Sequence, residues 1–238
     1  MKRFWDQATV STVDSAGGGG FTVLLDGRPM RLPGSGILHL PGRALAEAVA
    51  EEWQLAGGGK GGEMRLEEVP LTRVAATAME RIAPDPAPSA EAIASYGGTD
   101  LLCYRATEAP LAARQAAEWQ PLLDWLAQAC AAPLRVTEGI MPVAQDSAAL
   151  AALAQAVAAH PPLELAALGV AVPALGSLAL GLALSRGRIN AAEACRLAFL
   201  DESYQQELWG RDEEAAQRQE NVERDVHLAA RLLTLARQ

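Results

Sequence analysis

The sequence predicts an α+β protein: a small mixed α/β domain over residues 1–86, with strands, a hairpin and two helices, followed by a larger all-helical domain over residues 87–238. Three observations carry that reading. The first forty residues alternate apolar and β-branched side chains with turn signals. Pro84, Pro86 and Pro88 fall within five residues and cannot continue a helix. Beyond Ser89 the texture becomes Ala/Leu-rich, with apolar residues recurring at three- and four-residue steps. At 238 residues and 50% hydrophobic content, the chain can fill two ordinary cores and is too apolar to be disordered.

A first strand is expected near Gln7 to Val13, with Gly17 to Gly20 as a flexible connection. Phe21 to Leu25, the turn pair Asp26-Gly27 and Arg28 to Leu32 then read as a hairpin. Gly34-Ser35-Gly36 predicts a second turn ahead of Ile37 to Leu40. Pro41 is placed to start a helix carrying Leu45, Val49 and Glu52-Trp53, ended by Gly57 to Gly59. A second helix spans about Leu71 to Ile82, with Val74, Ala78 and Ile82 on one face.

In the helical half, Leu111 to Ala131 places Trp119, Leu122, Leu126 and Cys130 on one stripe, with Pro121 predicting a kink or a restart. Ser147 to Ala159 is another helix. Leu165 to Leu184 is uncharged and about as long as a bilayer span. It is Ala- and Gly-rich, is interrupted by Pro173 and has no flanking Trp or Tyr belt, so two short buried helices meeting near Pro173 are expected and no membrane span. A membrane-attached scaffold is the competing reading of that run. Asn190 with Glu193 predicts a helix cap, followed by a stripe of Leu197, Leu200, Tyr204 and Leu208 that stops at Gly210. Val222, Val226, Ala229 and Leu233 mark the last helix.

Twenty basic residues against 29 acidic give a net charge of −9, with most of the excess in the helical half, which argues against a nucleic-acid partner. Cys103, Cys130 and Cys195 are an odd number with wide gaps. They imply neither a disulfide framework nor a zinc site and read as reduced, core-packed thiols. The first ten residues hold no secretory or transit signal, so a cytoplasmic location is expected, or the mitochondrial matrix for a processed organellar form.

Little chemistry is legible. His39, His160 and His227 are scattered and sit in no metal or general-base motif. Gly57 to Gly61 around Lys60 lacks the spacing and the Ser or Thr of a phosphate loop, and predicts an exposed loop with Lys60 in solvent. The acidic series Asp201, Glu202, Glu207, Asp212, Glu213 and Glu214 could supply paired carboxylates, but its spacing suits a solvated or partner-contacting helix face. Asp201, Gln205 and Asp212 are placed on its polar side. Tyr96 to Asp100 reads as a structural turn in which Asp100 caps a helix or pairs with Arg105.

Several strings, taken in order, resemble the assembly chaperone of F-type ATP synthase that attends the α subunit. They are Gly98-Thr99-Asp100-Leu101-Leu102-Cys103-Tyr104-Arg105, Arg114-Gln115-Ala116-Ala117, Pro121-Leu122-Leu123-Asp124-Trp125, Gly139-Ile140-Met141-Pro142-Val143, and Leu200-Asp201-Glu202 with Trp209 to Ala215. Val23 to Pro29, Glu52-Trp53 and Pro70-Leu71-Thr72-Arg73 extend the resemblance over nearly the whole chain. None is a chemical motif; the set carries the specificity. Two departures are the glycine-rich Gly57 to Gly62 loop and Tyr204, which stands where the family leads one to expect tryptophan.

The resemblance implies a two-domain, non-enzymatic chaperone that shields the interface of the unassembled α subunit until the β subunit replaces it. An exposed apolar subunit interface aggregates unless it is masked. It further implies a monomer with no cofactor and no metal. Asp201, Glu202, Gln206, Glu207, Trp209 and Asp212 are the expected partner contacts, and Trp53, Thr99, Asp100 and Arg105 the expected structural residues. Trp209 is expected to be a buried anchor whose truncation would cost about 3–5 kcal/mol if it packs into the helical core. The competing function is a small-molecule enzyme with an acidic interdomain pocket built on Asp100, Asp201 or Glu202.

Overall fold

The computed structural model describes residues 1–15, 18–34, 36–210 and 212–238. Gly17 of the expected connection and Ser35 of the expected second turn lie outside the described residues. The chain divides into two compact units, the first formed by Met1–Asp85 with Pro162–Ala166 and Arg231–Gln238, the second by Pro86–Pro161 and Ala167–Ala230.

In the first unit β1 (Ala8–Ser15) and β2 (Gly18–Leu25) pair antiparallel with Val10 opposite Val23. The Asp26-Gly27 turn forms as expected, but β3 is only Arg28–Pro29, not a strand to Leu32. Pro29 has no N–H to continue a ladder, and beyond it the backbone makes only isolated bridges, Arg31 with Ile37 and Phe21 with Leu40. Glycines 18–20 belong to β2 and are not a loose connection.

Helix α1 (Arg43–Leu55) lays Leu45, Ala46, Val49 and Trp53 against the sheet, because those positions recur every three or four residues. Helix α2 (Pro70–Thr77) opens on a proline at its first position and widens into a π turn over Ala78–Ile82. Its buried face is Leu71, Thr72, Ala75, Ala78 and Ile82, so Val74 stands half out of the expected stripe. Ion pairs Arg237–Glu164 (2.7 Å) and Arg231–Glu51 (3.6 Å) tie the two distant segments into this unit.

The second unit starts with α3 (Ala87–Ala94), which has Pro88 in its first turn, then two 3₁₀ turns and the short β4 (Tyr104–Arg105). Helix α4 (Ala109–Cys130) runs through Pro121 as one element, so the proline neither stops nor restarts it. Trp119 is fully buried and donates from Nε1 to the Leu197 carbonyl at 3.0 Å. Strand β5 (Thr137–Glu138) pairs parallel to β4 and leads to α5 (Ser147–Ala158), capped by Asp146.

Helices α6 (Pro162–Leu175) and α7 (Leu178–Ser185) form the apolar centre, and every residue of α7 is buried. They meet at Gly176, three residues beyond Pro173, near where the junction was expected. Gly176 takes a left-handed φ of 64° that ends α6, and Ser177 accepts the Leu180 N–H at 3.0 Å to start α7. No helix of the described residues is long and apolar enough to cross a membrane. Helix α8 (Ala191–Ala198) carries the expected cap, the Asn190 side chain accepting the Glu193 N–H at 2.9 Å. It breaks at Phe199 before α9 (Leu200–Trp209). That break rotates the expected stripe: Leu197 and Leu200 are buried, Tyr204 is half-buried and Leu208 is exposed. Helix α10 (Glu213–Leu235) buries Val226, Ala229 and Leu233.

Candidate functional site

Gln115, on α4, is only 1% exposed and uses both ends of its amide. Its oxygen accepts the Ala106 N–H at 2.7 Å, and its Nε2 donates to Asp201 Oδ1 at 2.8 Å. A buried amide satisfied at both ends is a rigid strut. It fixes the start of α9 beside the segment that follows β4, and so holds the Asp201 carboxylate over a groove.

That groove, of about 500 Å³, is lined by Tyr104 to Glu108, Leu111, Gln115, Gly139-Ile140, Asp201, Tyr204, Gln205 and Trp209. Arg105 stacks 5.4 Å from the Trp119 ring centroid and donates to the carbonyls of Leu102 and Tyr104 and to Gln120. Burial lowers its pKa, opposed by nearby Cys103 and Asp201. Arg114 pairs with Glu207 at 2.8 Å and lies 5.7 Å over Tyr204, and that bond raises its pKa. The rim is apolar and bare: Ile140 is 91% exposed, Trp209 76%, and Met141 and Leu208 beside them are exposed as well. Isolated surface apolar residues are ordinary; two large ones lining one groove, each with an exposed apolar neighbour in the chain, mark a contact surface.

The structure brings Asp201, Gln206, Glu207 and Trp209 onto one short helix, but their environments differ. Asp201 and Gln206 are half-buried, Glu202 and Glu207 exposed. Trp209 is not the buried anchor expected of it, since α9 ends there and its ring has no core left to enter. Asp212 caps α10, accepting the Glu214 N–H at 2.9 Å.

Asp100 does cap, and does not pair with Arg105. Fully buried, it accepts from the Leu102 N–H at 3.0 Å, the Ser177 hydroxyl at 2.8 Å and the Ala179 N–H at 2.8 Å, joining a 3₁₀ turn to the start of α7. Burial raises its carboxyl pKa against the pull of these bonds. Thr99 is exposed on the preceding turn. Trp53 packs in the first unit, 5.0 Å from Trp5. Lys60 is exposed, as expected, and donates to Asp6 at 2.5 Å. The three cysteines are free, Cys103 and Cys195 buried and Cys130 half-buried.

Sequence reasoning did not single out Gln115, Glu108 or Tyr104. A glutamine on an amphipathic helix looks like a solvated residue, and only the return of α9 buries it. Ile140 and Met141 carried a faint signal, two large apolar residues in a loop between Gly139 and Pro142. Among the described residues no group of three or more His, Cys, Asp or Glu side chains is placed to hold a metal.

The fold recurs in solved proteins. Atp12 from Paracoccus denitrificans is 42% identical over 99% of this chain and 98% of its own, with a TM-score of 0.90. An aspartate-to-lysine mutant of P. denitrificans Atp12p matches at the same identity and TM-score, covering 97% of that chain. The Atu1473 protein of Agrobacterium tumefaciens is 37% identical, with 98% and 85% of the two chains covered and a TM-score of 0.87. Fold and likeness together define an assembly chaperone of ATP synthase. Residues 2–127 match the family described as ATP12 chaperone protein, and the chain belongs to that family.

Proposed function

We propose that the chain holds the unassembled α subunit of the ATP synthase catalytic head, covering the surface that the β subunit later takes, and that it does so as a non-enzymatic monomer. The reading places it in the cytoplasm of a bacterium, or in the mitochondrial matrix for an organellar form. The observation that carries the site is the exposed apolar pair Ile140 and Trp209, each with an exposed apolar chain neighbour, Met141 and Leu208, lining the groove that holds the strut-fixed carboxylate of Asp201. Such a rim masks an apolar client surface, while a carboxylate fixed in advance selects orientation at little ordering cost. Glu202 and Glu207 on the same helix serve association more than residence, because exposed charges act mainly on the encounter rate.

Co-precipitation of purified α subunit tests this. Capture should fall at least about tenfold for Ile140→Ser with Trp209→Ser, and for Asp201→Lys, with thermal melting unchanged. Wild-type capture of the α subunit no better than of the β subunit would sink the choice of client. Undiminished capture by the rim variants would move the site off this groove.

A further inference from the structure

The first unit carries a second groove, of about 510 Å³, with the opposite charge character. Its floor is apolar and buried, built from Met30, Leu32, Trp53 and Val69. One bank is α2 with the π turn that follows it, carrying Arg73 and Arg81; the other includes Arg31 and Leu66, whose side chain is exposed. Three arginines and one carboxylate, Glu80, line it in a chain of net charge −9. Glu80 Oε1 accepts the Gly34 N–H at 2.6 Å. Among the described residues neither Arg73 nor Arg81 has an ion-pair partner.

Arg73 occupies the fourth position of α2, whose first turn contains no acidic residue. The Glu52 carboxylate of α1 meets the positive end of that helix by accepting the Leu71 and Thr72 N–H groups, so the excess positive charge in the groove is that of the arginine side chains themselves. The floor is rigid before anything binds: Trp53 Nε1 donates to Thr72 Oγ1 at 2.9 Å, the Thr72 hydroxyl donates to Glu52 at 3.1 Å, and Trp5 Nε1 donates to the Trp53 carbonyl at 2.9 Å. Preorganisation of this kind lowers the ordering cost of binding.

We propose that this groove seats an acidic segment of a partner protein, with one large apolar side chain over Trp53 beside Leu66 and carboxylates reaching Arg73 and Arg81. Eight residues separate the two arginines, about 12 Å along a helix at 1.5 Å per residue. One phosphate group cannot span that distance, whereas carboxylates about four residues apart on an extended peptide can. The inference goes beyond the α-subunit reading and stands whether or not the α9 groove binds that client.

Fluorescence anisotropy with a labelled synthetic peptide alternating glutamate and leucine tests it on the full chain. Arg73→Glu combined with Arg81→Glu should weaken binding at least about tenfold, Leu66→Ser several-fold, and added salt should weaken wild-type binding, all with unchanged melting. Replacing the peptide leucines by serine should abolish most of the affinity. Undiminished binding by the arginine reversals would overturn the proposal, as would equal affinity for the serine peptide or displacement by inorganic phosphate or ATP. A dimer in sedimentation that the reversals dissociate would overturn it too, by showing the groove filled by a second copy. Loss of peptide binding with retained capture of the α subunit separates this groove from the α9 groove.

Discussion

Glu52 accepts hydrogen bonds from the Leu71 N–H at 2.7 Å, the Thr72 N–H at 3.1 Å and the Thr72 hydroxyl, and so supplies from α1 the cap that α2 lacks locally. Glu52→Ala leaves these buried donors unpaired and should lower unfolding free energy by about 3 kcal/mol or more in urea titrations, at about 1–3 kcal/mol for each of the three orphaned groups. Cys103 gives a pH test. Burial, with the Asp100 charge adding, pushes its thiol from 9.0 up to about 12. The folded state therefore disfavours the thiolate: this contribution is whole below pH 9 and is lost as pH rises from about 9 through about 12. Stability of the wild type should fall relative to Cys103→Ala across that window in denaturant titrations, and iodoacetamide at neutral pH should reach half-buried Cys130 before Cys103 or Cys195. Equal slopes for the two proteins would refute the assignment.

At the scale of elements, α6 and α7 approach so closely that a Cβ on Gly181 would stand 2.4 Å from Val172 Cγ2. Gly181→Ala should cost about 1–3 kcal/mol in spite of its better helix propensity, because the clash lies in a closed core. Adding Val172→Ala should recover part of that loss, a coupling readable in a double-mutant cycle by calorimetry. The end of α9 is the opposite case. Trp209→Ala should change stability by about 0.5 kcal/mol or less, since the side chain leaves little core contact behind. A loss of several kcal/mol would restore the buried-anchor reading.

For the whole molecule, a net charge of −9 and a pI of about 4.9 make self-repulsion oppose association through the apolar rim near neutral pH. Turbidity should peak near pH 5 and should fall there for Ile140→Ser with Trp209→Ser. If both proteins precipitate alike, the rim plays no part in self-association. The same charge balance frames the two grooves: one presents a strut-held carboxylate and the other Arg73 and Arg81, which have no ion-pair partner among the described residues, each groove within its own unit.

The sequence by itself determined the α+β class, the Asp26-Gly27 turn between β2 and β3, the long α4, the Asn190 cap and membership of the family, because each rests on local periodicity, turn chemistry or a set of short strings. Only the tertiary structure decided which polar residues were buried and to what end. Gln115, Glu52 and Asp100 hydrogen-bond across 86, 20 and 79 positions of chain, and no local pattern distinguishes a distant strut from a solvated side chain. Tertiary packing also exposed Trp209, by ending α9 where the stripe had predicted core. It also placed Pro162–Ala166 and Arg231–Gln238 in the first unit, where Arg231 pairs with Glu51 and Arg237 with Glu164.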